Sequence, residues 1–225
     1  MDSRSPAPTL PTGSYHPPLL ACLEVSPPDS ALLTALCARP GVTAAVSDEL
    51  DRRGLALTVP STCLAPLQPG RTAGGRTITL RYLPARTTPL QTIADGSALM
   101  AHRTLFGLAE AGDVALIVGP SGPPASLLGG EAAQAAQRAG IAACLVAGDV
   151  RDVDEIVAAG LPVWCGRRTP ATGRFRIEAA EINGPVDLAG IQVRAGDIAI
   201  ADDSGVAFIP SGLFVEIARA ILGEG

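Results

Sequence analysis

The chain has 225 residues, 47% of them hydrophobic and 17% charged, and carries a net charge of −5, which fits one globular domain with a sizeable core. Acidity, only 3% aromatic residues and no apolar run near ~18 residues argue against nucleic-acid binding, an anionic membrane surface and a membrane span. All 17 basic residues are arginine, so Schiff-base aldolases, pyridoxal-phosphate enzymes and lysine-bearing phosphate loops are excluded.

Residues 1–18 are rich in Pro, Ser and Thr and lack the apolar segment of a signal peptide. They read as a loose tail ahead of a single domain over residues 19–225, expected in the cytoplasm. Residues 30–38 and 43–53 read as helices, the second closed by Gly54, and a strand follows near Ala56–Val59. Residues 76–83 alternate, with Ile78, Leu80 and Tyr82 on one face and Thr77, Thr79 and Arg81 on the other. That is the pattern of a half-buried strand. A helix is expected over 97–110, stopping at Gly112.

Two strand–loop–helix units come next. The strand Val114–Val118 leads into a Gly/Pro-rich loop over 119–130, then a small-residue helix over 131–139 closed by Gly140. The strand Ile141–Val146 leads into a loop at Gly148–Arg151, then a helix over Asp152–Ala159 closed by Gly160. A third strand starts at Leu161–Trp164. Alternation of this kind implies βαβ crossovers and a partly parallel sheet. Beyond residue 173 short strands are expected at 174–179, 184–187, 190–193, 197–201 and 206–209, with a hairpin turn at the DDSG of 202–205. An amphipathic helix presenting Phe214, Ile217, Ala218 and Ile221 ends the chain. The class is α/β: a mixed sheet with βαβ units flanked by helices and a β-rich C-terminal third. Cys22, Cys37, Cys63, Cys144 and Cys165 are odd in number and irregularly spaced, which suits reduced thiols better than disulfides or a zinc site.

In open α/β sheets, ligands bind beyond the carboxyl ends of parallel strands. Two loops leave such ends and enter helices. One delivers Gly130, Glu131, Ala132 and Ala133; the other delivers Arg151 and Asp152. A helix N-terminus offers unpaired amides and a positive dipole end, and Gly129–Gly130 permits close approach. A small carboxylate such as pyruvate matches that turn. Arg151 can clamp a carboxylate or enolate oxygen, and Asp152 can hold a divalent cation that keeps several waters. Plain structural readings stand beside these. Asp152 with Glu155 has the spacing of a helix cap, Glu131 complements the dipole of its helix, Arg151 is a solvated loop residue, and the paired glycines make a tight turn.

The stretch GGEAAQAAQRAGIAACLVAGDVRDVDEIVAAGLPVW, with TAAVSDELDRRG before it and INGPVDLAGIQVRAGDIAIADDSGVAFIP after it, resembles the RraA-like family. That family includes 4-hydroxy-4-methyl-2-oxoglutarate aldolases, and the similarity covers roughly residues 42–210. The resemblance implies a swivelling β/β/α fold and class II pyruvate-aldolase chemistry with oxaloacetate decarboxylation as a side activity. It implies Asp152 as the Mg²⁺ or Mn²⁺ ligand, Arg151 as the group that contacts substrate and stabilises the pyruvate enolate, Gly130–Ala133 as the carboxylate cradle and Glu131 as holder of metal-bound water. It also implies a small 2-oxo acid as substrate and a homotrimer or dimer of trimers.

A non-enzymatic branch of the same family regulates ribonuclease E and replaces both acids, which this chain keeps. Two departures from the aldolase pattern are visible. Ala147 and Asp149 surround Gly148 where the aldolases have an Asp shortly before the VRD triplet. The longer C-terminal helix that carries a glutamate to a neighbouring subunit has no counterpart before Gly225, Glu224 being the only late acid. Another lyase or tailoring enzyme on the same metal–enolate site is a further alternative. The methyltransferase label attached to the family finds no glycine-rich methyl-donor loop here.

Overall fold

The structure, a computed structural model, describes residues 18–94 and 100–223. Most of the expected tail, the first residues of the expected 97–110 helix, and Glu224 lie outside the described residues. In chain order the elements are β1 (Leu19–Leu20), α1 (Ser30–Cys37), α2 (Val42–Asp51), β2 (Thr58–Pro60), β3 (Ala65–Pro66), β4 (Ala73–Pro84), α3 (Pro89–Ala94), α4 (His102–Leu108), β5 (Val114–Val118), β6 (Ser126–Leu128), α5 (Gly130–Arg138), β7 (Ala143–Val150), α6 (Val153–Ala158) and β8 (Val163–Arg168). They continue with β9 (Ile177–Ile182), β10 (Val186–Leu188), β11 (Ile191–Val193), β12 (Ile198–Asp202), β13 (Gly205–Ile209) and α7 (Phe214–Leu222).

One large mixed sheet organises the molecule, with strands in the order β2-β13-β12-β4-β5-β7-β8-β3. Its middle, β4-β5-β7-β8, is parallel, and β5 reaches β7, and β7 reaches β8, across α5 and α6 as βαβ crossovers require. The flank β12-β13-β2 is antiparallel, and the DDSG turn closes β12 onto β13 with Asp202 opposite Gly205. β4 is the hinge of the architecture. Its first residues pair antiparallel with β12, its middle parallel with β5, and its end antiparallel with β9.

That centrality corrects the half-buried reading of residues 76–83. Thr77 and Thr79 are fully buried, because strands cover β4 on both edges and side chains pack on both faces. Thr79 tolerates this by donating its hydroxyl hydrogen to the Gly184 carbonyl at 2.6 Å.

Three apolar cores follow from the layers. α4, α5 and α6 cover one face of the parallel strands through Leu105, Ala133, Ala136 and Ile156. The opposite face packs Leu116, Leu145 and Trp164 against Phe208 and Val193, with the Trp164 indole N–H satisfied by the Asp202 carbonyl at 2.8 Å. α1, α2 and α7 seal the antiparallel flank, and Phe214, Ile217, Ala218 and Ile221 are the buried face of α7 as its periodicity implies. With so few aromatics, Ala, Val, Leu and Ile fill these layers. The five cysteines are free thiols; burial pushes Cys144 up to about 12 and Cys165 up to about 11, so both are inert packing groups at neutral pH.

Two loop expectations are corrected at the sheet end that matters. The Gly/Pro-rich segment 119–130 contains β6, which pairs in parallel with the end of β7 through Ser126↔Asp149 and Leu128↔Val150. The segment 148–150, expected as loop, extends β7, past a register shift between Val146 and Asp149 relative to β8. A three-residue strand shows no period to read, and the flanking Gly and Pro disguise it.

Candidate active site

β6 ends at Leu128 and α5 begins at Gly130; β7 ends at Val150 and α6 begins at Val153. Because β6 and β7 are hydrogen-bonded neighbours, their two exit turns lie side by side. The Arg151 amide donates to the Leu128 carbonyl at 3.0 Å, which ties one turn to the other.

The glycine pair sets how closely they meet. A Cβ at Gly129 would lie 2.9 Å from Asp152 Oδ2 and 3.3 Å from Arg151 Nε; one at Gly130 would lie 2.0 Å from Glu155 Oε2. Only backbone fits there, so side chains of the second turn close directly over the first. Asp152 Oδ2 sits 3.4 Å from the Gly130 amide nitrogen and 3.2 Å from Arg151 Nε. The guanidinium and carboxylate are 40% and 37% exposed, so both face the cleft and solvent rather than the core.

Asp152 is not the helix cap that its spacing to Glu155 suggests. It stands at the cap position of α6 but makes no side-chain bond to that helix. Its backbone is left-handed, φ 53 and ψ 46, where a cap residue ordinarily takes extended angles. The carboxylate turns to the neighbouring helix start instead.

The amide cradle is narrower than 130–133. Gly130 begins α5, and the Ala133 amide closes its first turn on the Gly129 carbonyl at 2.9 Å, with Ala133 fully buried. The amides of Gly130, Glu131 and Ala132 are the ones without an in-helix acceptor. The Glu131 side chain is 89% exposed and pairs across the cleft mouth with Arg103 at 3.4 Å.

These turns open into a cleft of about 560 Å³, a size suited to a small organic ligand. Several of its residues were not singled out by sequence reasoning. His102 lines it, 9% exposed and packed against Tyr82 and Phe106. Its Nε2 lies 2.5 Å from the Leu127 carbonyl, which can only accept, so Nε2 carries the proton. Burial pushes His102 down to about 4, and the ring is neutral at pH 7. Thr172, Gly173 and Arg174 form the far wall. That wall is stitched to β6: the Ser126 amide donates to Ala171 O at 3.0 Å and the Gly173 amide to Ser126 Oγ at 3.3 Å. A Cβ at Gly173 would fall 2.2 Å from the Ser126 carbonyl. This turn also delays β9, expected from 174, to Ile177. A rare His on a predicted helix and a glycine between polar residues were the available signals.

Asp149 has a different task. It is 3% exposed, accepts from Arg167 Nε at 2.7 Å and from the Ala125 amide at 3.1 Å, and so braces the strand ends outside the cleft.

Among the described residues no group of three or more His, Cys, Asp and Glu side chains forms a metal cage. A cleft lined by two carboxylates, Asp152 and the exposed Glu131, does not suit zinc, which takes three or four protein ligands. It does suit Mg²⁺ or Mn²⁺, which bind through one or two carboxylates and fill the shell with water and substrate oxygen.

Comparison with known proteins gives the family and the fold. Residues 43–208 match the RraA-like family model, described as Aldolase/RraA. A Halalkalibacterium halodurans protein named "Putative 4-hydroxy-4-methyl-2-oxoglutarate aldolase" is 29% identical over 163 residues, 69% of this chain and 74% of that protein. DlpA of Legionella pneumophila is 28% identical over 177 residues, 79% of this chain but 27% of its own length. The crystal structure of Streptomyces coelicolor RraAS2, described as an unusual member of the RNase ES inhibitor RraA protein family, superposes with a TM-score of 0.73 at 24% identity, covering 88% of this chain and 93% of that one. That likeness establishes the fold.

Proposed function

The chain belongs to the RraA-like family, whose model spans residues 43–208, and on that premise we propose that it is a divalent-metal-dependent lyase that cleaves a 4-hydroxy-2-oxo acid to pyruvate. One observation carries the reading: Asp152, Arg151 and the amide start of α5 converge within 3.4 Å, although 22 residues separate Gly130 from Asp152 in sequence.

Asp152 is the residue that would hold Mg²⁺ or Mn²⁺, and such an ion, when bound, supplies Lewis-acid polarisation of the substrate's 2-oxo group. The amides of Gly130, Glu131 and Ala132 hold the substrate carboxylate at the positive end of α5. Glu131 holds the water that accepts the proton of the C4 hydroxyl. As that proton leaves, the C3–C4 bond breaks, C4 becomes a carbonyl, and the electron pair passes into the C2–C3 enolate. Arg151 compensates the negative charge that develops on the C2 oxygen. Protonation at C3 then releases pyruvate. Decarboxylation of oxaloacetate passes through the same enolate and is the expected side activity.

The test is oxaloacetate turnover with added Mg²⁺ or Mn²⁺. Asp152→Asn keeps the size and the left-handed tolerance of the native residue while removing the charge. A loss of at least ~100-fold in kcat/KM is expected, in keeping with removal of a key electrostatic group. Turnover equal to the unsubstituted protein removes Asp152 from the mechanism. We further propose assembly as a trimer or dimer of trimers and residence in the cytoplasm.

A further inference from the structure

A second cavity of about 380 Å³ also borders β6, and Leu127 lines both it and the cleft. It sits just past the carboxyl end of β5, at Gly119, and beside Gly148 in the last residues of β7, near the sheet end where parallel sheets take ligands. A Cβ at either glycine would strike Leu127, at 2.7 and 2.5 Å, so this packing needs backbone alone there. Nothing in the proposed lyase chemistry uses it.

Much of its wall is apolar: Pro84, Pro120 and Pro123, with Phe175 and Ile177. Proline fixes its own φ, which narrows the conformations open to these surfaces. Two guanidinium groups border it, and both are held in place. Arg167 is gripped by buried Asp149 through Nε and Nη2, at 2.7 and 3.4 Å. Arg176 donates Nη1 to the Thr172 carbonyl at 2.9 Å. Asp149 spends its oxygens on Arg167 and the Ala125 amide, which cancels one arginine charge and leaves one net positive charge at the rim. Apolar walls with a few fixed polar groups are the signature of a small-molecule pocket.

The geometry points to this cavity as a binding site for a small amphipathic monocarboxylate, its aromatic or branched body against the prolines and Phe175, and its carboxylate on Arg176 and Arg167. Its occupancy does not depend on the lyase reading.

The experiment is calorimetric titration of the full chain with 3-phenylpropionate. Saturable one-to-one binding is expected, about tenfold weaker in Arg176→Gln, unchanged in Asp152→Asn, and about tenfold weaker for the neutral 3-phenylpropionamide on the unsubstituted protein. Ala125→Leu, which narrows the cavity while keeping the backbone amide to Asp149, abolishes binding with thermal melting unchanged. Failure to bind, equal binding of acid and amide, or loss of binding only in Asp152→Asn, which would put the ligand in the cleft, overturns the proposal. The amide comparison reads the charge requirement even where a variant fails to fold.

Discussion

Asp152 holds φ 53 and ψ 46, a conformation that costs most residues 1–2 kcal/mol, roughly, and that Asp and Asn tolerate best. Among the described residues the other non-glycine positions with positive φ are Asn183 and Ala189, both away from the cleft. A left-handed carboxylate at a helix start, turned away from the helix it could cap, is the kind of outlier that accompanies function rather than stability. Asp152→Gly therefore leaves unfolding free energy within ~1 kcal/mol of the native value, or raises it, while abolishing oxaloacetate turnover. Urea melts and the decarboxylase assay read the two effects separately.

His102 makes a second prediction at the same scale. Its folded pKa, about 4, lies below the ordinary value of 6.5. Between those pH values the unfolded chain binds a proton that the native chain refuses, so stability falls as pH drops from 6.5 toward 4. The slope is at most ~1.4 kcal/mol per pH unit and the total ~3 kcal/mol. His102→Gln keeps a donor for the Leu127 carbonyl and lacks this slope; parallel melts at pH 7 and pH 5 measure the difference.

At the scale of elements, the site is built from β6, the α5 start, the α6 start and the 171–174 turn. Gly130→Ala forces a methyl onto Glu155 and costs roughly 1–3 kcal/mol by overpacking. Gly173→Ala pushes the 171–174 wall off the Ser126 carbonyl; the expected result is a raised KM for oxaloacetate with kcat less affected, since the wall lines the cleft without carrying a proposed catalytic group.

These elements also show what was readable beforehand. The turns carrying Gly130, Glu131, Arg151 and Asp152 were legible because small apolar strands leading into amphipathic helices punctuate the chain there. β6 was not, being three residues between glycines and prolines. Nor was the 171–174 wall, whose place depends on hydrogen bonds to a strand 45 residues earlier, counting from Ser126 to Ala171. The burial of Thr77 and Thr79 escaped the alternation rule because β4 is covered on both faces, a fact of topology rather than of local pattern.

At the scale of the molecule, the mixed sheet is the device that makes one site from distant segments. Parallel β4-β5-β7-β8 brings its carboxyl ends to one edge, and the antiparallel β12-β13-β2 flank with α1, α2 and α7 supplies stability on the far side. Leu83, Leu90, Ile93 and Leu108, all within residues 83–108, are 43%, 78%, 55% and 46% exposed. The proposed trimer or dimer of trimers predicts about three or six times the chain mass by light scattering in solution, and Leu90→Asp with Ile93→Asp tests whether α3 takes part.

The most direct measurement is a crystal structure of the full chain with Mn²⁺ and oxalate, a planar mimic of the pyruvate enolate. The account predicts an anomalous manganese peak on the Asp152 carboxylate, with oxalate between it, Arg151 and the amides of Gly130, Glu131 and Ala132. Manganese and oxalate bound elsewhere, with Asp152 still turned to Gly130, would contradict it.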